Sequence, residues 1–273
     1  MNDEKLSYLR TIANKIRINA VKAVYYANSG HPGGSLSIAD MLAYLFFEEM
    51  NIDPGDPKKA DRDRFVLSKG HCAPAYYSAL ALRGFFGVDE LKGFRSVESR
   101  LQGHPDMKNI PGVDMSTGSL GQGISAACGM ALGEKISGSS ARVYAMLGDG
   151  ETEEGQVWEA AMFAAHYKLD NLCVIVDLNG LQIDGPVTEV MNPTPHDAKY
   201  TAFGWNVLYA DAHDFDSIEA AFKAARECSG KPSVIIAKSV KGKGISYMEN
   251  NVNWHGAAPN DEQYKVAMDE LAR

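Results

Sequence analysis

The stretch from Leu147 to Gly185 restricts what this chain can fold into more than any other part of it. It follows on an apolar run, Arg142-Val143-Tyr144-Ala145-Met146-Leu147, that stops at Gly148-Asp149-Gly150. About one helix later a second apolar run, Leu172-Cys173-Val174-Ile175-Val176-Asp177, stops at Asn179-Gly180-Leu181. Strand, glycine turn, helix, strand, asparagine turn is a parallel βαβ unit with a polar group at the carboxyl end of each strand. Ligands of open α/β sheets bind at that edge. The Asp149 carboxylate and the Asn179 amide therefore converge on one spot. Hard oxygen donors of this kind suit Mg²⁺, which takes few protein ligands and completes its octahedron with phosphate oxygens and water. Gly150, without a Cβ, lets the backbone come close to a diphosphate. Alone, Gly-Asp-Gly is an ordinary turn and Asn179 an ordinary loop residue. The pair at this spacing, each after a strand, points to a metal–diphosphate site.

Before this unit, residues 4–27 carry Leu6, Leu9, Ile12, Ile16 and Val21 near helical spacing, which predicts a helix ending at Asn28-Ser29-Gly30. The segment His31 to Ser37 reads as a rigid, glycine-rich loop ahead of a second helix through Met50, and residues 51–64 as a solvated loop. Arg64 to Leu67 is a short strand leading into Ser68-Lys69-Gly70-His71 and a helix over 72–82. Lysine and histidine are poor partners for a helix amino terminus unless an anion sits between them. A solvated lysine and a capping histidine are the alternative. Ser116 to Gly123 opens a helix of small residues to about Gly133. After Gly150, residues 154–168 read as a helix with Glu154 and Glu159 in its first turns and a structural His166. Strands over 204–208 and 232–237, a helix over 216–229, a loop around Trp254-His255-Gly256 and a terminal helix from Asp261 complete the pattern. The expected fold is one α/β domain over 1–273: a doubly wound, mainly parallel sheet with helices on both faces.

Composition excludes several classes. The formal charge of -8 leaves no basic excess to neutralise nucleic-acid phosphates. No apolar run approaches the roughly 18 residues that cross a membrane, and the charged amino terminus is unlike a signal peptide. The four cysteines are far apart with no Cys-x-x-Cys pair. That argues for a reducing, cytoplasmic setting without a disulfide frame or structural zinc.

Ser29-Gly30-His31-Pro32-Gly33, Leu67-Ser68-Lys69-Gly70-His71, Gly103-His104-Pro105, the 117–123 run, Gly148-Asp149-Gly150 with Asn179, and Trp254-His255-Gly256 stand in the order seen in transketolase. The resemblance spans nearly the whole chain, and His31, His71, His104 and His255 all fall inside it. It implies the thiamine-diphosphate-binding fold, specifically the diphosphate-binding domain. Asp149, Asn179 and the Leu181 carbonyl would hold Mg²⁺, or Ca²⁺ or Mn²⁺. Lys69, His71, Gly150, Lys241 and His255 would face the cofactor's diphosphate, and Glu151 and Asn179 would also bind the cofactor. Gly118, Ser119, Leu120 and Ile183 would contact its rings. His31, His71, His104 and His255 would line the substrate channel as catalytic residues; imidazoles suit hydrogen bonds to sugar hydroxyls and proton movement near pH 7. The implied reaction carries a two-carbon ketol unit from a ketose phosphate to an aldose phosphate, as in the pentose phosphate pathway.

The same resemblance implies parts that this sequence lacks. Full-length transketolase carries a pyrimidine-binding domain and a third domain after this one. The expectation is therefore a split enzyme, active only with a separate subunit bearing the pyrimidine-binding domain and assembled two plus two. Within the same chemistry, a split ketol-transferase for a sulfonated or branched sugar is the rival. Outside it, the rival is a non-catalytic cofactor-binding module, which would not need the four histidines.

Overall fold

The computed structural model describes residues 1–272. Its main sheet is parallel throughout and has the order β1-β2-β3-β7-β6. The strands are β1 (Arg64–Leu67), β2 (Val143–Gly148), β3 (Leu172–Leu178), β6 (Asn206–Asp211) and β7 (Ser233–Lys238). A small antiparallel ribbon, β4 (Leu181–Gln182) with β5 (Gly185–Pro186), stands apart just beyond the carboxyl end of β3.

Alternation along the strands builds two cores. Phe65, Leu67, Tyr144, Met146, Cys173, Ile175 and Ile235 point into one hydrophobic cluster; Val66, Ala145, Leu147, Val174, Val176, Val234 and Ile236 point into another. Parallel strands buried on both faces need a helical layer on each. The first face is covered by α1 (Asp3–Ala27), α2 (Pro32–Ser37), α3 (Ala39–Tyr44), α4 (Ala73–Arg83) and α9 (Phe215–Glu227). The second is covered by α5 (Gln122–Ile136), α6 (Gly155–His166) and α8 (His196–Ala202), with the short α7 (Val187–Val190) following the ribbon. A third cluster, including Val21, Leu36, Ile245, Met248, Trp254 and Leu271, fastens α10 (Asp261–Leu271) to α1. This is the doubly wound, parallel α/β architecture expected of the sequence.

Register aligns the strand ends that matter. Gly148 at the end of β2 pairs with Asp177 on β3, and Asp177 pairs in turn with Ala237 on β7. Three chain segments thus leave the sheet side by side, at 149–150, 178–181 and 239–242.

Three expectations need correction. Residues 32–37 form α2 rather than a loop. Pro32 starts the helix, where its missing N–H costs nothing, and Gly34 lets it pack closely: a Cβ there would lie 2.8 Å from Cys72 Sγ and 3.3 Å from Lys69 Nζ. The following helix does not run through to Met50 as one α-helix; it passes at Leu45 into a π-turn ending at Glu49. The 51–64 segment is not simply solvated. Arg62 and Asp63 are buried, Arg62 in an ion pair with Asp114, and Asp63 accepts from the backbone N–H of Asn51 (2.8 Å) and Arg142 (2.7 Å). Those bonds satisfy backbone donors where β1 and β2 begin.

Candidate functional site

Asp177 is the floor of the cleft at the carboxyl edge of the sheet. Its two oxygens take Lys69 Nζ (2.5 Å), Ser37 Oγ (2.9 Å), Ser239 Oγ (2.5 Å) and Asn179 Nδ2 (2.9 Å). These partners come from the ends of β1, α2, β7 and β3, so one carboxylate ties four segments together. Burial works against its charge, but the Lys69 ammonium outweighs that and holds the carboxyl below its ordinary range. For Lys69 burial likewise favours the neutral amine, and Asp177 reverses it, leaving the pKa raised. The anion expected between Lys69 and His71 is thus in part the protein's own. Sequence reading assigned no role to Asp177; the available signal was a carboxylate closing an otherwise apolar strand.

Directly above lies the Asp149 turn. Asp149 Oδ1 accepts from Gly150 N–H (2.8 Å) and Oδ2 from Gly180 N–H (2.5 Å), so the two loops after β2 and β3 are bonded together. Asn179 Oδ1 accepts from Leu181 N–H (3.1 Å), and the Leu181 carbonyl accepts from Lys241 Nζ (3.0 Å). The convergence of Asp149 and Asn179 expected from their spacing is therefore present. Burial, then the nearby Asp177, push the Asp149 carboxyl up to about 6. A buried carboxylate so raised gains from a cation beside it. Among the described residues no group of three or more His, Cys, Asp or Glu is placed to hold a metal. The donors that fit one here are a carboxylate, an amide oxygen and a backbone carbonyl, a set suited to a hard divalent cation that shares phosphate oxygens. Lys241 is itself buried, and burial followed by the Lys69 charge lowers its pKa. Lys69 and Lys241 thus bring two buried ammonium groups to a region where the carboxyl groups of Asp149, Glu151 and Asp177 are buried as well, so the lysines offset charge that would otherwise repel an anion.

The imidazoles form the outer wall. His31, His71 and His255 make a triangle with ring centroids 5.2 to 5.5 Å apart. His255 Nδ1 lies 3.0 Å from Lys241 Nζ, which donates to it. Burial and then neighbouring cations depress all three: His31 to about 4 with Arg95 next in weight, His255 to about 3 with Lys241, and His71 well below its ordinary value with Lys69. They are neutral rings at pH 7. His31 Nδ1 is buried without a hydrogen-bond partner among the described residues. His104 is set slightly apart, with its ring against Gly118, where a Cβ would come within 3.0 Å of it; its pKa is lowered by burial and Arg95.

The cleft enclosed by these groups measures about 220 Å³. Lys69, His71, Gly118, Leu120, Asp149, Gly150, Glu151, Asn179, Leu181, Ile183, Lys241, His31 and His255 all line it, whereas His104 and Ser119 stand outside its lining. Gln182 and Gly34 line it as well and were not singled out in the sequence. Glu151 is committed internally: its carboxylate accepts from Ser68 Oγ, from Gly121 N–H (2.9 Å) and from Gly148 N–H (3.0 Å). It braces the Gly148-Asp149-Gly150 turn against the start of α5. At the rim Leu120 and Ile183 face outward.

A parallel α/β sheet with an oxygen-donor loop, two buried lysines and neutral imidazoles at its carboxyl edge has the make-up of a domain that binds a diphosphate-bearing cofactor. Residues 9–272 match the family described as transketolase, thiamine diphosphate binding domain, and the chain belongs to that family. It is 43% identical over its whole length to the 6-deoxy-6-sulfo-D-fructose transketolase subunit SqwG of Clostridium sp. (strain MSTE9), covering 99% of that protein. Over 95% of the chain it is 41% identical to one subunit of the apulose-4-phosphate transketolase of Phocaeicola vulgatus, covering 92% of that protein. Over 93% it is 44% identical to human transketolase, covering only 40% of that longer chain. The solved transketolase from Campylobacter jejuni superposes with a TM-score of 0.93 at 35% identity, over 100% of this chain and 43% of that one. No helix among the described residues is long and apolar enough to cross a membrane.

Proposed function

We propose that this chain is the diphosphate-binding subunit of a two-chain transketolase, moving a two-carbon ketol unit from a ketose phosphate to an aldose phosphate. The observation that carries the reading is the joint placement of a cofactor floor and a substrate wall: Asp149, Asn179, Lys69 and Lys241 beside three neutral imidazoles in one cleft. A module that only stored cofactor would need the first group but not His31, the one ring of the three with no place at the diphosphate.

In this reading Asp149, the Asn179 amide oxygen and the Leu181 carbonyl hold Mg²⁺; Ca²⁺ or Mn²⁺ suits the same oxygens. Lys241, Lys69, His71, His255 and the Gly150 turn would hold the diphosphate. Thiamine diphosphate, when bound, supplies the nucleophilic carbon and the electron sink for cleaving the bond next to a ketose carbonyl. The chain's own part is orientation and protons. His31, His71 and His255, neutral at pH 7, offer both a donor and an acceptor nitrogen to sugar hydroxyls, and His104, beside Gly118 outside the cleft lining, would meet the far end of a longer substrate. Gly118, Ser119, Leu120 and Ile183 meet the cofactor's rings.

The open rim is the face for a separate subunit carrying the pyrimidine-binding domain. Exposed Met162, Phe163 and Tyr167, with Glu154 just before α6 and Glu159 on it also exposed, are the face for a second copy of this chain. The assembly is two of each, in the cytoplasm. Support for a two-chain enzyme is that both bacterial relatives are named as subunits and are covered almost entirely. The test is to assay the purified chain with thiamine diphosphate, Mg²⁺, a ketose phosphate and an aldose phosphate, with and without a candidate partner. Ketol transfer only in the mixture is expected. Full activity of this chain alone would refute the two-chain reading, and failure with every pyrimidine-domain partner would favour a cofactor module.

A further inference from the structure

Outside the cleft lining runs a second polar network that the proposed function does not use. Arg17 of α1 forks onto Asp40 of α3: its Nη1 donates to Oδ1 (3.1 Å) and its Nη2 pairs with Oδ2. Asp40 Oδ2 also meets His213 Nδ1 at 2.7 Å, and His213 Nε2 accepts the backbone N–H of Val240 at 2.9 Å. His213 sits in the turn after β6, its own N–H tied to Asp211 Oδ1 (2.9 Å), and its side chain is 14% exposed. A backbone N–H can only donate, so His213 Nε2 carries no hydrogen. The hydrogen is on Nδ1 and points at the carboxylate. The surroundings dictate this single tautomer, because both ring nitrogens have partners of fixed sense. Burial opposes the charge on Asp40, but Arg17 and the imidazole outweigh it and hold the carboxyl at about 2.

Val240 lies between Lys241, which lines the cleft, and Ser239, which braces the buried Asp177. Ser239 bonds Asp177, and Lys241 reaches the Leu181 carbonyl and His255. One residue on, Gly242 donates to the Gly33 carbonyl (2.9 Å) and has a φ of +79°, a conformation that favours glycine. The segment 239–242 is thus pinned at Ser239 and at Gly242; between them the Lys241 carbonyl accepts from Asn250 N–H (2.9 Å), and the His213 acceptor holds Val240, the residue that leads into Lys241.

We propose that His213 is a positioning residue: set by Asp40 and Arg17 as the Nδ1–H tautomer, it offers a bare Nε2 to Val240 N–H and so aims Lys241 into the diphosphate end of the cleft. The proposal rests on the cofactor reading only for what Lys241 binds. Asn at this position restores the donor to Asp40 but is too short to reach Val240. Gln restores an acceptor near Nε2 and gives up the bond to Asp40.

The test uses the full chain and thiamine diphosphate with Mg²⁺ as the probe, read by calorimetry. His213→Ala weakens affinity about three- to tenfold, the worth of one hydrogen bond. His213→Gln regains most of that and His213→Asn does not. Because His213 acts through Lys241, the double variant with Lys241→Ala binds no more weakly than Lys241→Ala alone. Additive losses, or rescue by Asn equal to rescue by Gln, overturn the proposal. If His213→Ala fails to fold, the Gln–Asn pair still decides. Long-range ¹H–¹⁵N spectra of the chain at pH 7 show His213 as the Nδ1–H form; the Nε2–H form overturns the assignment. If the parent chain binds no thiamine diphosphate, the cofactor reading fails, while the tautomer measurement still judges His213.

Discussion

At the inner end of the cleft Lys69, Asp149, Asp177 and Lys241 are each 2% exposed, whereas at the rim Leu120 is 38% and Ile183 67% exposed. The inner charges are cross-linked from four chain segments and satisfied within this one subunit. The rim offers apolar side chains that nothing in the chain covers. Buried charge tolerates no error in its partners, so the inner end, proposed to hold the diphosphate, is finished inside one fold. Apolar contacts are non-directional, so the rim, proposed to meet the cofactor's rings and another subunit, can be completed on assembly.

The largest effect that tests this contrast is at the floor. Asp177→Ala leaves Lys69 buried and unpaired and removes the acceptor for Ser37, Ser239 and Asn179, costing about 3–5 kcal/mol of stability. Denaturant unfolding of the chain without cofactor measures it; a loss below about 1 kcal/mol would show that the floor is not the shared support described above. Next is Asp149→Ala, expected to weaken Mg²⁺-dependent binding of thiamine diphosphate about a hundredfold or more by removing the one carboxylate donor. Titration with and without Mg²⁺ gives the number, and affinity that stays metal-dependent at parental strength rejects the metal loop.

A smaller effect concerns pH. His31 and His255 titrate at about 4 and about 3 in the fold, against 6.5 when unfolded. Below pH 6.5 the unfolded chain therefore binds protons that the folded chain refuses. The stability these rings contribute is present above 6.5 and is lost as pH falls toward 4. Each ring gives a slope of at most about 1.4 kcal/mol per pH unit, and less here because both rings are partly exposed and screened by solvent. Unfolding at pH 7, 6 and 5 should show a flatter decline in His255→Gln than in the parent; an identical slope means the ring is charged in the fold. The smallest effect is at the rim. Ile183→Ala should change the chain's own affinity for thiamine diphosphate by less than about twofold, within the usual range for an exposed substitution. A tenfold loss in the isolated chain would erase the distinction between floor and rim.

Much of the site was legible because chemistry and chain order coincide in it. Gly148-Asp149-Gly150 and Asn179 end consecutive strands, and a parallel βαβ unit can bring such ends together in only one way. The histidines fell in short motifs whose order along the chain carried the resemblance. What stayed hidden acts across long separations. Asp177 looked like the last residue of a strand until Lys69, 108 positions earlier, and Ser239, 62 later, were found on its two oxygens. His213 and Asp40 lie 173 positions apart and share no motif. The 32–37 segment was misread for a related reason: two glycines disfavour a helix locally, and only the close approach of Cys72 and Lys69 makes a glycine-containing helix the one that fits.

By itself, then, the sequence determined the parallel α/β class, the edge of the sheet where chemistry gathers and the residues at the ends of β2 and β3, because hydrophobic period and turn residues are local properties. Only the tertiary structure decided which buried charges neutralise one another, which tautomer His213 holds and which wall of the cleft is left open, because those depend on distances between segments that the chain's order does not encode.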